Sequence, residues 1–350
     1  MIDLLKQLCE INGASGDEDR VADFLVSSIE SHGVTGLVVR RDSLGNLLVY
    51  KKGRHTPEKT LMFAAHMDEV GFIITDITKE GFLRFDTVGG INSDTVFGRR
   101  IVFDNGTVGV IAGKPIHLLN TKEKNKQPKI EDLMIDIGVS SQSEAENLVS
   151  RGDYCYFVSC FEEIENYKNL ESHEDRLLRS KAIDNRLGCA IMLDLLKSSL
   201  NYDCVFAFTV QEEIGCRGAA AAAFNIEPDI CIVLEATTAC DTAGVAEEDM
   251  VCELGKGAVV GFMDKGTAYD RGLYNITLET AKENNLLIQT KSKIVGGNDA
   301  SVFHKSAGGI RTIAISAPCR YIHTPFCVAN YKDIESMRKL AEKLLYKFAV

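Results

Sequence analysis

Apolar residues recur at three- and four-residue spacing over residues 17–32, at Val21, Phe24, Leu25 and Ile29, behind a turn-like Asn12-Gly-Ala-Ser-Gly16. That period predicts an amphipathic helix. Residues 36–41 and 46–51 read as a strand pair around Asp42-Ser-Leu-Gly45, and 60–65 is a continuous apolar run of the kind a buried strand shows, ending at His66-Met-Asp68. From Gly71 to Phe161 the texture changes to short β-rich segments (72–75, 82–85, 100–103, 107–111 and 154–159) separated by Gly, Asn and Asp turns. After a charged connector at 162–174, helix and strand alternate. Helices are predicted at 186–197, 218–224, 272–283 and from Ile334, with strands at 204–210, 229–234, 287–290 and 311–315. This alternation is the signature of an α/β sheet with helices on its faces. The expected architecture is one discontinuous α/β domain, 1–70 with 162–350, split by an inserted small β-barrel-like domain at 71–161.

Composition narrows the class. A chain of 350 residues with 45% hydrophobic and 25% charged residues has a globular balance and should bury roughly 75% of its unfolded surface, which excludes disorder as the main state. The formal net charge of −11 argues against nucleic-acid binding through a basic face. The apolar run after Cys189 is broken by Asp194, and nothing approaches the roughly 20 apolar residues of a membrane helix. The first ten residues carry Asp3 and Glu10 at amphipathic helical spacing, unlike a signal peptide. The 11 cysteines include no CxxC pair and fall mostly in apolar runs (Cys189, Cys204, Cys231), so buried thiols in a reducing cytoplasm are expected rather than a disulfide framework.

In open α/β sheets ligands collect beyond the carboxyl ends of the strands. The residues that follow the predicted core strands here are unusually rich in acids: His66 and Asp68 after 60–65, Gln211, Glu212 and Glu213 after 204–210, and Glu235 after 229–234. Asp184 precedes the helix at 186, and His323 lies in Tyr321-Ile-His-Thr-Pro325 after another strand. Carboxylates converging on one edge would repel unless cations neutralise them. The nitrogen and oxygen donor set suits zinc, cobalt or manganese, and a bridging carboxylate would let it hold two ions. Asp68, two residues beyond His66, could fix the imidazole tautomer. Of the adjacent Glu212 and Glu213, one can ligate while the other handles a proton. Taken singly, Asp184 is as readily a helix N-cap, Glu212 and Glu213 a solvated turn, and His66 or His323 a hydrogen-bonded structural residue. His32, His55, His117, His173 and His304 keep that structural assignment.

Four stretches carry a family resemblance: Ala64-Ala-His66-Met-Asp68-Glu-Val-Gly-Phe72, Lys181-Ala-Ile-Asp184-Asn-Arg-Leu-Gly-Cys189, Gln211-Glu212-Glu213-Ile-Gly-Cys-Arg-Gly-Ala219 and Pro318-Cys-Arg-Tyr-Ile-His323-Thr-Pro325. Together they resemble the glutamyl aminopeptidase and tetrahedral aminopeptidase family of co-catalytic metallopeptidases. The similarity runs from Gly13 to the last helix, and Lys114-Pro-Ile-His117 with 129–138 looks like that family's inserted domain. The resemblance implies two divalent metal ions per subunit, with His66 and Glu235 on one, Glu213 and His323 on the other, and Asp184 bridging. It implies Glu212 as general base and acid, and Asp68 as the residue that orients His66. It also implies release of N-terminal residues from short peptides, dimers built through the inserted domain, and hollow twelve-subunit tetrahedra. Two positions depart from the pattern: Glu235 stands where many such aminopeptidases carry Asp, and Asn298 stands in Gly296-Gly-Asn-Asp299-Ala300 where Thr is frequent. Asp299 is a substrate-side candidate against a structural-loop alternative. Glu235 keeps open a related metal-dependent deacylase or carboxypeptidase. The non-enzyme alternative is an assembly protein with a vestigial site.

Overall fold

The computed structural model describes residues 1–31, 33–118, 120, 127–165 and 176–348, so His32 and His173 lie outside it. Two amphipathic helices open the chain, α1 (Ile2–Glu10) and α2 (Asp19–Ser31), and their apolar stripes Leu5, Leu8 and Val21, Leu25, Ile29 are buried. A hairpin of β1 (Leu37–Arg41) and β2 (Leu47–Lys51) follows, then β3 (Leu61–His66), of which all six residues are buried.

The next six strands close into an antiparallel barrel in the order β4-β5-β8-β7-β6-β9: β4 (Gly71–Ile77), β5 (Leu83–Val88), β6 (Arg100–Phe103), β7 (Val108–Ala112), β8 (Met134–Asp136) and β9 (Tyr154–Phe157). Alternation along β5, with Leu83 and Phe85 inward and Arg84 and Asp86 outward, is what a strand with one buried face requires. Phe72 meets Phe85 and Phe157 edge-on at 5.4 and 5.0 Å and fills the interior. Strand β8 went unread in the sequence because three residues carry no periodicity, yet it is the piece that joins β5 to β7. A short helix, α3 (Gln142–Glu146), caps the turn before β9.

The 162–174 segment is not a connector throughout. Glu162–Glu165 form edge strand β10, antiparallel to β11 (Arg176–Ser180), while 166–175 lie outside the described residues. Glu162 faces Arg179 across the pair and Glu163 bonds Arg176 at 2.8 Å, so the charges that read as linker are those of a protected sheet edge.

Beyond the barrel come α4 (Ile183–Lys197), β12 (Cys204–Thr209), α5 (Arg217–Ile226), β13 (Ile230–Thr238), β14 (Ala258–Val260), α6 (Arg271–Glu283), β15 (Ile288–Thr290), α7 (Ala300–Phe303), β16 (Arg311–Arg320), β17 (Cys327–Asn330) and α8 (Tyr331–Lys347). Strands β12, β3, β13 and β16 lie side by side and parallel at the centre of a mixed sheet that runs β1-β2-β12-β3-β13-β16-β17-β11-β10. These four are almost wholly buried, as parallel strands covered on both faces must be. The fold is therefore the expected mixed α/β sheet with an inserted barrel.

One buried charge cluster ties the N-terminal segment to the start of α4. Lys181 Nζ meets Glu69 Oε1 at 2.5 Å, Glu69 accepts from Gly13 N at 3.2 Å, and the fully buried Arg186 donates to Leu8 O at 2.6 Å and Ile11 O at 3.1 Å. Removing one partner leaves an uncompensated buried charge, which costs about 3–5 kcal/mol. Glu69→Ala is thus expected to lose stability of that order in denaturant titration; a loss below about 1 kcal/mol would refute the account.

Candidate metal centre at the carboxyl edge of the sheet

Register brings the site together. Thr209 of β12 pairs with His66, and β13 pairs with β3 through Val233 and Ala64, so Glu235, two residues on, stands level with His66. Glu235 is thus inside β13, which continues to Thr238, and not beyond its end as the apolar run predicted. Asp184 sits where α4 begins irregularly, with non-helical φ/ψ at Asp184 and Asn185. It caps no helix; its oxygens face two imidazoles. His66 Nε2 lies 3.3 Å from Asp184 Oδ1 and 3.5 Å from Glu235 Oε1, while His323 Nε2 lies 3.6 Å from Asp184 Oδ2 and 3.2 Å from Glu213 Oε2. Glu212 stands back, with Oε2 at 3.9 Å from His66 Nε2.

Both imidazoles are aimed by their other nitrogen. His66 Nδ1 meets the backbone oxygen of Asp68 at 3.0 Å and its carboxylate at 3.3 Å, and His323 Nδ1 meets Gly90 O of the barrel at 2.8 Å. Asp68 does more than expected. Its carboxylate accepts from the backbone N–H groups of Glu212 and Glu213, each at 3.0 Å, and from Ser15 Oγ at 2.6 Å, so it shapes the turn that carries both glutamates. Glu18, unassigned in the sequence, holds the same turn by accepting from Gln211 N at 3.0 Å, where Gln211 adopts a positive φ of 57°. Its only signal was a position next to the Gly13–Gly16 motif. Asp299 is buried and accepts from Thr209 Oγ1 at 2.5 Å, and Asn298 donates to Tyr269 Oη at 3.0 Å; neither is a surface loop residue.

Burial dominates the electrostatics. It pushes Glu235 up to about 8, Glu212 well above the carboxylate range, and Glu213 above it. Burial also opposes charging of the imidazoles, but carboxylates outweigh it: Glu235, Asp184 and Asp68 raise His66 well above its ordinary value, and Asp184 with Glu213 raises His323 to about 11. Asp184 moves the other way; burial again resists, and bonding to His323 and His66 wins, holding it below its ordinary range.

The cluster fits divalent cations. Ligands about 2.1 Å from a tetrahedral ion stand about 3.4 Å apart, and the four spacings above run from 3.2 to 3.6 Å. Glu235 Oε2 is buried without a hydrogen-bond partner among the described residues, as a carboxylate oxygen reserved for an ion would be. His66, Asp184 and Glu213 each offer a ligand atom within 4.8 Å of the others.

A pH dependence follows. Glu235, raised from 4.5 to about 8 by burial, favours the folded chain below pH 4.5 and ceases to do so as pH rises through about 8; His323, raised from 6.5 to about 11 by its carboxylate partners, behaves alike from 6.5 upward. A cation held by Glu235 or His323 would replace those protons, and so should matter more as protons leave. The gap in Tm between cation-loaded and chelated protein is expected to widen steadily from pH 5 to pH 8 in calorimetry. A gap that narrowed over that span would overturn this assignment.

A cavity of about 230 Å³ opens beside the cluster, lined by Asp184, Glu235, Tyr269, Lys291, Asn298 and His323 among others. Among the described residues no helix is long and apolar enough to cross a membrane.

Comparison with known proteins agrees with this architecture. A family model described as M42 glutamyl aminopeptidase matches residues 45–340. A putative aminopeptidase of Acetivibrio thermocellus is 36% identical, covering 97% of this chain and 97% of its own, and the glutamyl aminopeptidase of Lactococcus lactis subsp. cremoris is 31% identical, covering 95% and 92%. The TET aminopeptidase of the marine sediment archaeon Thaumarchaeota archaeon SCGC AB-539-E09 superposes with a TM-score of 0.91 at 32% identity, covering 98% of this chain and 95% of its own. The Pyrococcus horikoshii TET1 peptidase, which can assemble into a tetrahedron or a large octahedral shell, gives 0.82 at 32% identity, covering 98% of each. With a match over most of its length, an inserted barrel shared with those structures and a donor set suited to divalent ions, the chain belongs to the M42 glutamyl aminopeptidase family and is a metallo-aminopeptidase.

Proposed function

We propose that the protein removes N-terminal residues from short peptides at a two-cation centre, with His66 and Glu235 holding one ion, Glu213 and His323 the other, and Asp184 between them. The observation that carries this is Asp184, whose two oxygens face two separate imidazole–carboxylate pairs. Bound there, two divalent cations would supply Lewis acidity toward a peptide carbonyl and a water. Glu212 lies close enough to take the proton of the attacking water and pass it to the leaving amine, and burial gives it the proton affinity that task needs. Asp68 holds Glu212 and Glu213 by their backbone and orients His66. The adjoining cavity accommodates the first side chain of the peptide. Zinc and cobalt suit the mixed nitrogen and oxygen donors best, with manganese a third candidate.

Residues 71–161 act in this proposal as an inserted dimerisation domain on a catalytic domain formed by 1–70 and 162–350. The barrel region exposes Phe97, Val108 and Val110, apolar side chains suited to a partner subunit. Likeness to the P. horikoshii peptidase supports a twelve-subunit tetrahedral assembly. Light scattering tests it, and a monomer with full activity would refute it.

The activity itself is tested with chelated protein given zinc, cobalt or manganese and a panel of short peptides, free and N-acetylated. Cleavage restored by metal and confined to free N-termini is expected. Cleavage of acetylated peptides would instead establish the deacylase or carboxypeptidase alternative that Glu235 keeps open.

A further inference from the structure

Three consecutive backbone N–H groups, those of Gln211, Glu212 and Glu213, each donate to a carboxylate: the first to Glu18 and the other two to Asp68, all at 3.0 Å. The peptide planes on either side of the Gln211 Cα are therefore held by different segments, the preceding plane by Glu18 and the following one by Asp68. Because each plane is rigid, fixing both fixes the φ and ψ between them. That matters at Gln211, whose φ of 57° is a conformation that residues with a Cβ rarely adopt and keep only where their surroundings impose it. Glu18 is 5% exposed, and burial together with the nearby Asp68 pushes its carboxyl up to about 7, against the backbone N–H groups of Gly16, Glu18 and Gln211. A neutral side chain would be cheaper to bury there. The segment that carries Glu18 is itself pinned: Ser15 donates to Asp68 at 2.6 Å, and Asp17 accepts from Arg20 at 2.6 Å and from the hydroxyl of Tyr156 in the barrel.

We propose that Glu18 is a positioning residue for Glu212, setting the direction from which that carboxylate meets the attacking water without itself touching the reacting atoms. This rests on Glu212 being the general base. Without the Glu18 oxygen, Gln211 is free to turn to a negative φ, and Glu212, the next residue, swings with it. Glu213 is held less directly by that bond, since its own N–H stays on Asp68 and its carboxylate faces His323 at 3.2 Å. The cations should therefore stay while the base moves, and a misplacement of about 1 Å is enough to cost about 10²-fold in rate. Such a loss falls on kcat and leaves KM in place, because Glu212 acts on the proton of the attacking water and not on the bound peptide.

The test compares kcat, KM, bound metal and circular dichroism for wild type, Glu18→Ala, Glu18→Gln and Glu18→Ala combined with Glu212→Gln, each loaded with two equivalents of cobalt and given one short peptide with a free N-terminus. Glu18→Ala is expected to fold, to keep both cations and its KM, and to lose about 10²-fold in kcat. Glu18→Gln retains an oxygen for the Gln211 N–H and should recover about tenfold of that loss. In the Glu212→Gln background Glu18→Ala should cost nothing further, since a base that is absent cannot be misplaced. Where Glu18→Ala fails to fold, Glu18→Asp takes its place, with a carboxylate one methylene short of Gln211 N and an expected loss of about tenfold. A folded Glu18→Ala or Glu18→Asp with wild-type kcat, metal lost in proportion to activity, or full additivity with Glu212→Gln would overturn the role of Glu18 and leave Glu212 as the base. Glu212→Gln that stayed active with both cations bound would reject the base, and this proposal with it.

Discussion

Glu212→Gln is expected to lower kcat by about 10²- to 10⁴-fold, the usual contribution of a positioned acid–base group, while two cations stay bound. Glutamine keeps the shape of the side chain and its place on the turn, because that turn is fixed through backbone N–H groups bonded to Asp68, not through the Glu212 carboxylate. What disappears is an oxygen able to hold and return a proton. Of the three carboxylate oxygens near His66 Nε2, that of Glu212 is the farthest, at 3.9 Å against 3.3 and 3.5 Å for Asp184 and Glu235, so metal content should survive the change. Steady-state kinetics beside elemental analysis of the same sample checks both halves. A variant that lost metal in proportion to activity would make Glu212 a ligand and leave the base unassigned.

Asp184→Ala should do the reverse, emptying the centre and with it the activity. Altering a residue that merely orients a ligand costs 10- to 100-fold in metal affinity, and Asp184 faces both imidazole–carboxylate pairs directly, so the loss at each should exceed about 100-fold. Bound metal is expected to fall from two equivalents to less than one after dialysis against micromolar zinc or cobalt, with hydrolysis at background. Circular dichroism should show a folded chain, since the sheet and the Lys181–Glu69–Arg186 cluster do not use the Asp184 carboxylate. Retention of two tightly bound ions would refute the bridging assignment.

Much of this was open to a reader of the chain alone. Period decided element type: the stripe of α2 and the unbroken apolar runs of β3 and β12 can bury their apolar residues in few other ways. The change of texture after Gly71 marked the barrel region, and the acids at successive strand ends marked the site. Local pattern failed where elements were short or where charge misled. The three residues of β8 carry no period, and the acidic β10 looked like a linker because a protected edge strand is charged for the same reason a linker is: both face water.

The ends of the strands were misjudged as well, and that matters for the site. Glu235 lies within β13 and reaches the cluster because strand register sets it beside His66. The sequence by itself determined which residues could bind and move protons, since side-chain chemistry is a local property. Tertiary structure alone decided which of them meet. That Asp184 turns one oxygen to each histidine, that Gly90 of the barrel aims His323, and that Glu18 and Asp68 hold the glutamate turn are contacts between residues far apart in the chain, fixed by packing and register that no local pattern encodes.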